Sequence, residues 1–317
     1  MNKLSQNYSR KYISEGALLL MTIIWGGTFV IVKESLPDIS SMLFVAFRFG
    51  IASLVLLVVL IKMKKVFSAD SIKAGIFLGV ILFLGFATQT VGLKYTSATK
   101  SGFITGSLVV MVPIFQTIIF KKAPTKGALL GTILVFIGIL FLSSGEGSIW
   151  NLLGELGRNF NFGDFLTLVC AVFFALHVVY IGIISPKYDF LELVFLQITT
   201  ASVLSFIASF VFSSLTVEPL HVELTGNLIL GLLYTSLLAT LLNLGLQTRF
   251  QKEVSPTNAG IIYSFEPIFA AIFAFFVLSE KITNFGFIGC ALIFSGLLVS
   301  ELYDNLTKQN GSERIPG

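Results

Sequence analysis

Long apolar stretches separated by short charged ones run the length of the chain, and ten of them stand out once the charges are marked off. Gly16 to Val32 lies between Glu15 and Lys33, and Ile39 to Ile61 lies between Asp38 and Lys62 with Arg48 inside it. Ala74 to Leu93, Ser101 to Phe120 and Gly127 to Gly145 follow. The second half continues with Phe165 to Pro186, Leu193 to Val217 and Leu224 to Thr248. Val254 to Ser279 carries the single charge Glu266, and Ile282 to Ser300 is the last. A helix of about 20 predominantly apolar residues crosses a bilayer core. Backbone groups in lipid must be bonded within their own segment, so each stretch is read as a helix. The pattern predicts an all-α integral membrane protein of ten transmembrane helices. A cleaved signal peptide is not expected, because no small-residue cleavage site precedes Lys33 and nine more spans follow.

Composition strengthens this reading. Of 317 residues, 55% are hydrophobic and 12% charged, with a mean hydropathy of +0.90. A soluble domain carries about 25% charged residues, twice this supply. The net charge of +4 does not point to nucleic acid, because the basic residues sit between apolar runs where membrane topology explains them. Lys33, Lys94, Lys100, Arg158 and Lys281 fall in one set of loops and Arg48 within a span. The other fifteen of the 21 basic residues fall on the opposite side. That bias places both termini in the cytoplasm, and the chain is expected in the cell (inner) membrane. Cys170 and Cys290 lie in apolar runs, as small hydrophobes do, and suggest no disulfide framework.

The chain also resembles itself. A shift of 158 residues lays Leu84 to Leu142 on Leu242 to Ser300 without a gap. Gln89 meets Gln247, Thr90 meets Thr248, Gly131 meets Gly289 and Gly138 meets Gly296. Shared apolar composition explains some of the matches, but polar and glycine matches are harder to explain that way. The expected organisation is a tail at 1–15, a first repeat at 16–143 (spans one to five), a linker at 144–162, a second repeat at 163–303 (spans six to ten) and a tail at 304–317. Five helices per copy is odd, so the second copy enters from the opposite face. Inverted repeats are the architecture of secondary transporters, which bind substrate near the midplane where the halves meet.

Particular runs resemble a known family. Ile24-Trp25-Gly26-Gly27-Thr28-Phe29 in span one, Phe47-Arg48-Phe49 in span two, and Ser101-Gly102-Phe103-Ile104-Thr105-Gly106 with Val112-Pro113 in span four are similar to EamA-type transporters of the drug/metabolite transporter superfamily. Glu266-Pro267 and Ser279-Glu280-Lys281 resemble the second copy of the same unit. The first copy departs from this, carrying Lys121-Lys122-Ala123-Pro124 in the corresponding loop. The resemblance implies a ten-helix carrier of small solutes such as amino acids, working without ATP hydrolysis.

Polar residues inside apolar spans are the candidates for function. Glu266 lies midway between Glu253 and Glu280, where a charge costs at least about 2.5–3.5 kcal/mol. It is either a substrate-amine contact or proton-coupling carboxylate, or the structural partner of Arg48, the other intramembrane charge. Arg48 itself is read as structural, snorkelling outward or pairing. Thr240, Asn243 and Gln247 share a helical face, as do His177 with Tyr180, Tyr263 with Glu266, and Trp25 with Thr28. With Gln89 and Thr105 these form a candidate central cavity, although any single one can equally be a packing hydrogen bond. His177 alone is more often a bonded core histidine, and Trp25 lies deep for an interfacial anchor. Gly75/Gly79, Gly102/Gly106 and Gly127/Gly131 are close-packing pairs. Pro113 and Pro267 are expected to kink spans four and nine.

The function that follows is a secondary transporter alternating access between two inverted repeats, with a small-molecule substrate and a proton as candidate coupling ion. A lipid flippase, a channel-like facilitator and a membrane-embedded enzyme are the competing readings. The sequence carries no HExxH, GxSxG or P-loop motif and no metal-ligand cluster, so no cofactor, metal or catalytic residue is assigned.

Overall fold

A computed structural model describes residues 3–96, 98–121, 123–143, 160–278 and 284–312. Most of the expected linker 144–162, the loop motif Ser279-Glu280-Lys281, Lys122, Arg158 and the end of the C-terminal tail lie outside them. The first half contains α1 (Lys3–Gly26), α2 (Thr28–Ser35), α3 (Ser41–Lys62), α4 (Ala69–Tyr95), α5 (Ala98–Gly106), α6 (Leu108–Phe120) and α7 (Lys126–Ser143). The second half contains α8 (Phe162–Ile184), α9 (Phe190–Ser214) and α10 (Gly226–Leu233), the last running into a π-helical segment, Tyr234–Leu242. Then come α11 (Asn243–Phe250), a short 3-10 turn, α12 (Pro256–Tyr263), α13 (Glu266–Leu278) and α14 (Asn284–Ser312). Among the described residues the only β-pairing is an isolated bridge between Ile39 and Val222.

Among the described residues, seven helical stretches are long and apolar enough to cross a membrane: Arg10–Ser35, Ser41–Lys62, Ala69–Tyr95, Lys100–Phe120, Phe162–Ile184, Phe190–Ser214 and Gly226–Glu253. Lys126–Leu142 and Asn284–Ser300 are shorter apolar helices. The expected ninth span is divided at Ser264–Phe265 into α12 and α13. Both expected tails are partly helical, since α1 begins at Lys3 and α14 continues to Ser312.

Local sequence chemistry sets the helix starts. Ser68 and Ser71 exchange side-chain and backbone bonds as a capping box, and Asn161 and Asp164 do the same. Asp189, Thr225 and Ser255 each accept backbone N–H groups at the heads of α9, α10 and α12. Burial is inverted relative to a soluble protein. Leu54, Ile118, Phe210 and Leu230 are more than 60% exposed, whereas Gln197, Asn243, Ser236 and Gln251 are fully buried. An apolar outside around a polar inside is what a lipid solvent selects, and the chain is a multi-pass membrane protein.

Glycines set the helix spacing across the halves. A Cβ on Gly131 would sit 2.6 Å from the Gly296 carbonyl oxygen, and one on Gly138 would sit 2.8 Å from that of Gly289. These residues are the repeat-matched pairs, so α7 and α14 meet through one contact used twice. Gly75 and Gly79 admit Leu196 and Thr200 of α9, and Gly26 lies against the backbone of Phe269 and Ala270 in α13. Gly102 meets nothing closer than Phe29 at 3.8 Å, so its contact is ordinary.

Two helix interruptions fall 158 residues apart, at Ser107 between α5 and α6 and at Phe265 between α12 and α13. They lie apart from the two prolines at which kinks were expected from sequence. Pro113 lies inside continuous α6, because a proline removes only one donor. At Ser107 both the backbone N–H (3.1 Å) and the hydroxyl (2.6 Å) turn back to the Ile104 carbonyl, closing a tight turn. Pro267 sits in the first turn of α13, where its missing donor has no helical partner to lose.

Candidate functional site

A cavity of about 50 Å³ lies at the centre of the bundle. It has room for a few water molecules at about 10–15 Å³ each, well under the ~300 Å³ of a typical open ligand pocket. Its wall brings together Trp25, Thr28, Gln89, Thr105, His177, Gln247, Tyr263 and Glu266, with Arg48 and the apolar residues Leu82, Phe86, Leu108, Phe174, Val178 and Leu244. Four pairs of these lining residues are 158 positions apart: Phe86 with Leu244, Gln89 with Gln247, Thr105 with Tyr263, and Leu108 with Glu266. The cavity therefore lies where repeat-related positions converge. The last pair breaks the likeness, because a leucine in one half faces a carboxylate in the other.

Arg48 and Glu266 share this cavity without touching: among the described residues no ion pair within 4.0 Å joins them. The expectation that Arg48 snorkels or pairs is corrected here. Its side chain is buried, Nε donates to Thr240 Oγ1 at 2.8 Å, and the guanidinium lies 4.5 Å from the centre of the Phe86 ring. Phe86 stacks edge-on between Phe49 and Phe174, so an aromatic ladder floors the arginine. A cation over a desolvated ring gains attraction without being neutralised, and it stays available to an anion. Glu266 opens α13, where a helix N-terminus favours a carboxylate.

The other polar groups form two chains around the cavity. His177 Nε2 and Gln197 Oε1 are 2.9 Å apart, and Gln197 donates to Thr248 at 3.1 Å. Gln247 and Tyr263 both donate to Gln251 Oε1, at 3.1 and 2.9 Å, while Gln251 donates to the Val178 carbonyl. Trp25 donates to the Ala239 carbonyl at 2.9 Å and packs edge-on against Tyr263. Gln89 reaches the Thr105 hydroxyl at 3.4 Å.

Three of the sequence candidates lie off the cavity wall. Tyr180 packs on Phe77 with ring centres 4.8 Å apart. Thr240 holds Arg48, and Asn243 donates to the Met21 carbonyl at 3.0 Å. The polar stripe Thr240, Asn243 and Gln247 assumed a regular α-helix, and the π-helical segment changes its phase. Sequence reasoning missed the apolar wall, because residues facing a cavity and residues facing lipid look alike. It also missed Gln197, although a fully buried amide inside an apolar stretch is the same signal that marked Gln89.

Polar contacts tie the two ends of the bundle, unequally. At the end where α2 leads into α3, Glu218 accepts from Lys94 Nζ at 2.6 Å, from the Ser41 N–H at 3.0 Å and from the Ser41 hydroxyl. Lys100 pairs with buried Asp164 at 2.5 Å, and Thr225 donates to Asp38. Lys33 donates to the carbonyls of Leu93 and Thr96. Burial raises the Glu218 carboxyl, but its bonds from Lys94 and Ser41 outweigh this and hold it below the usual carboxylate range. At the opposite end Lys65 pairs with Asp189 at 2.8 Å, and Gln116 accepts from Thr257. Burial raises Asp189 too, and again its bonds from Lys65 and from backbone N–H groups win and lower it.

Residues 13–144 and 161–302 each match the EamA-like transporter family. An "uncharacterized transporter" of Archaeoglobus fulgidus is 34% identical over 298 residues, covering 94% of this chain and 88% of its own. The "uncharacterized transporter YyaM" of Bacillus subtilis is 28% identical, covering 94% of this chain and 96% of its own. A crystal structure at 16% identity superposes with a TM-score of 0.73 over 92% of this chain and 98% of the other, a likeness of fold.

Proposed function

The chain belongs to the EamA-like transporter family, and from that premise we propose that it carries small zwitterionic metabolites, amino acids in the first place, by alternating access. One observation carries the choice of substrate: Arg48 and Glu266 face one aromatic-walled cavity and form no ion pair with each other. A buried cation and a half-buried carboxylate held apart are each costly alone. A zwitterion offsets both, its carboxylate against Arg48 and its ammonium against Glu266, between the rings of Trp25 and Tyr263. With a wall of Leu82, Phe86, Phe174 and Leu244, a small apolar side chain suits the remaining space.

In this reading the chain crosses the inner membrane ten times as two inverted five-helix repeats, with both termini in the cytoplasm. The end carrying Glu218, Lys94, Lys100 and Asp164 is then the outer one, and the structure is a conformation latched against the outside. The two halves interlock, with α7 packing on α14 and α4 on α8 and α9. A proton is the coupling ion that Glu266 can exchange. The relatives are named as transporters, and we read this chain as a carrier and not as an enzyme.

The test is uptake of a labelled amino-acid and metabolite panel into proteoliposomes, with and without a pH gradient, for the native chain and Glu266→Gln. Gradient-driven accumulation that Glu266→Gln abolishes is the expected result. Saturable flux that survives the substitution would remove Glu266 from the mechanism. Flux of none of the solutes would overturn the substrate class and favour a lipid cargo.

A further inference from the structure

We propose that the π-helical segment Tyr234–Leu242 is the positioning element of the cavity, with Thr240 aiming Arg48 and the Ala239 carbonyl holding Trp25. This rests on the carrier reading above. In an α-helix each carbonyl accepts the N–H four residues on. Here the Asn243 N–H goes instead to the carbonyls of Leu238 and Thr240, passing over that of Ala239. The released Ala239 carbonyl takes the Trp25 indole at 2.9 Å, and the next residue, Thr240, takes Arg48 Nε at 2.8 Å. The flanks do the same work. Tyr234 donates to the Ile24 carbonyl at 2.6 Å, and the Asn243 amide donates to that of Met21 at 3.0 Å.

All four bonds run from the second half of the chain to the first. They land on the last turns of α1, just before its break at Gly27, and on Arg48 within α3. The wide turn leaves the Ala239 carbonyl without the Asn243 N–H, so the indole need not share it with that donor. The turn is kept although the Ser236 hydroxyl and the Asn243 side-chain oxygen are left buried without a partner. Unpaired buried polar atoms are destabilising, and π turns retained in spite of such a cost concentrate at functional sites. Of the five guanidinium donors, Nε is committed to Thr240. The terminal nitrogens remain for an anion in the cavity.

The experiment uses the full chain in proteoliposomes, with tritiated L-alanine as the probe, and three variants: Thr240→Val, Thr240→Ser and deletion of Leu238. Losing a hydrogen bond to a charged group corresponds to about tenfold or more. Thr240→Val should therefore raise KM for L-alanine about tenfold or more with kcat within about twofold. Thr240→Ser, which keeps the hydroxyl, should restore the native KM. Deleting Leu238 returns the turn to α phase, so in a Trp150→Phe background the Trp25 emission should shift, while Thr240→Val leaves it unchanged. A native KM in Thr240→Val, or a folded Leu238 deletion with native Trp25 emission, would overturn the proposal. If the native chain takes up no L-alanine, the reading of that substrate fails, and the emission measurement alone decides the positioning role.

Discussion

In the proposed orientation, Glu218 is the residue whose loss should most directly unlatch the outer end. It accepts three bonds, from Lys94 Nζ at 2.6 Å, from the Ser41 N–H at 3.0 Å and from the Ser41 hydroxyl. Replacing it with glutamine keeps an acceptor of similar shape and removes the charge. Lys94 is one-third exposed, so the ion pair is screened and contributes only about 0.2–1 kcal/mol. Each Ser41 bond falls from the charged to the neutral class, a difference of roughly 1 kcal/mol apiece at most. The sum is about 2 kcal/mol, or about thirtyfold in the balance between closed and open outer ends. Gln89→Cys, in a background lacking Cys170 and Cys290, reports on that balance through its reaction with a membrane-impermeant maleimide added outside. Glu218→Gln should speed this labelling at least about tenfold, the lower end of that range. The native carboxyl titrates below its ordinary value near 4.5, so its contribution is fully present above that value and is lost as pH falls through the lower one. External acid below about pH 4.5 should therefore mimic the substitution. An unchanged labelling rate in folded Glu218→Gln protein would refute the latch.

The inner end should answer to acid on its own side. Asp189 also titrates below its ordinary 3.8, so labelling of the same cysteine from the cytoplasmic face should rise only as that face falls below about pH 4; an equal response to acid on either side contradicts the assignment of ends. Gly138→Ala puts a methyl 2.8 Å from the Gly289 carbonyl oxygen and from Ile293 Cγ1, an overpacking that costs about 1–3 kcal/mol. Its melting temperature in detergent should fall by a few degrees, and a native value would mean that α7 and α14 separate freely. Phe174→Ala should enlarge the cavity and extend uptake to bulkier amino acids; a panel unchanged in size preference would remove Phe174 from the wall.

Much of the helical architecture can be read from charge-bounded apolar runs, because lipid penalises both unpaired backbone and stray charge. The cavity wall is legible only where a residue is polar. Trp25, Gln89, Gln247, Tyr263 and Glu266 announced themselves against an apolar background, whereas Phe86 and Phe174 are indistinguishable in sequence from lipid-facing phenylalanines. Tyr180 was grouped with His177 by helical periodicity, yet packs on Phe77 outside the cavity. Periodicity also misled at Thr240 and Asn243, since no residue type marks the onset of a π turn. The helix breaks at Ser107 and Phe265 were hidden for a related reason. The prolines drew attention, while at Ser107 a hydroxyl and an N–H turn back on one carbonyl and at Phe265 an N–H turns back on that of Ile262. Arg48 could be seen as a buried charge, but its aromatic floor depends on Phe49, Phe86 and Phe174 converging from three helices.

The central claim is that Arg48 and Glu266 grip opposite ends of one zwitterion. The most direct measurement is inhibition of amino-acid uptake in proteoliposomes by three matched compounds: the amino acid, its analogue lacking the carboxylate, and its analogue lacking the amine. The account predicts that removing either end weakens inhibition about tenfold or more. It also predicts that Arg48→Gln erases only the carboxylate preference and leaves the amine preference intact. Equal inhibition by all three compounds in the native protein would contradict it.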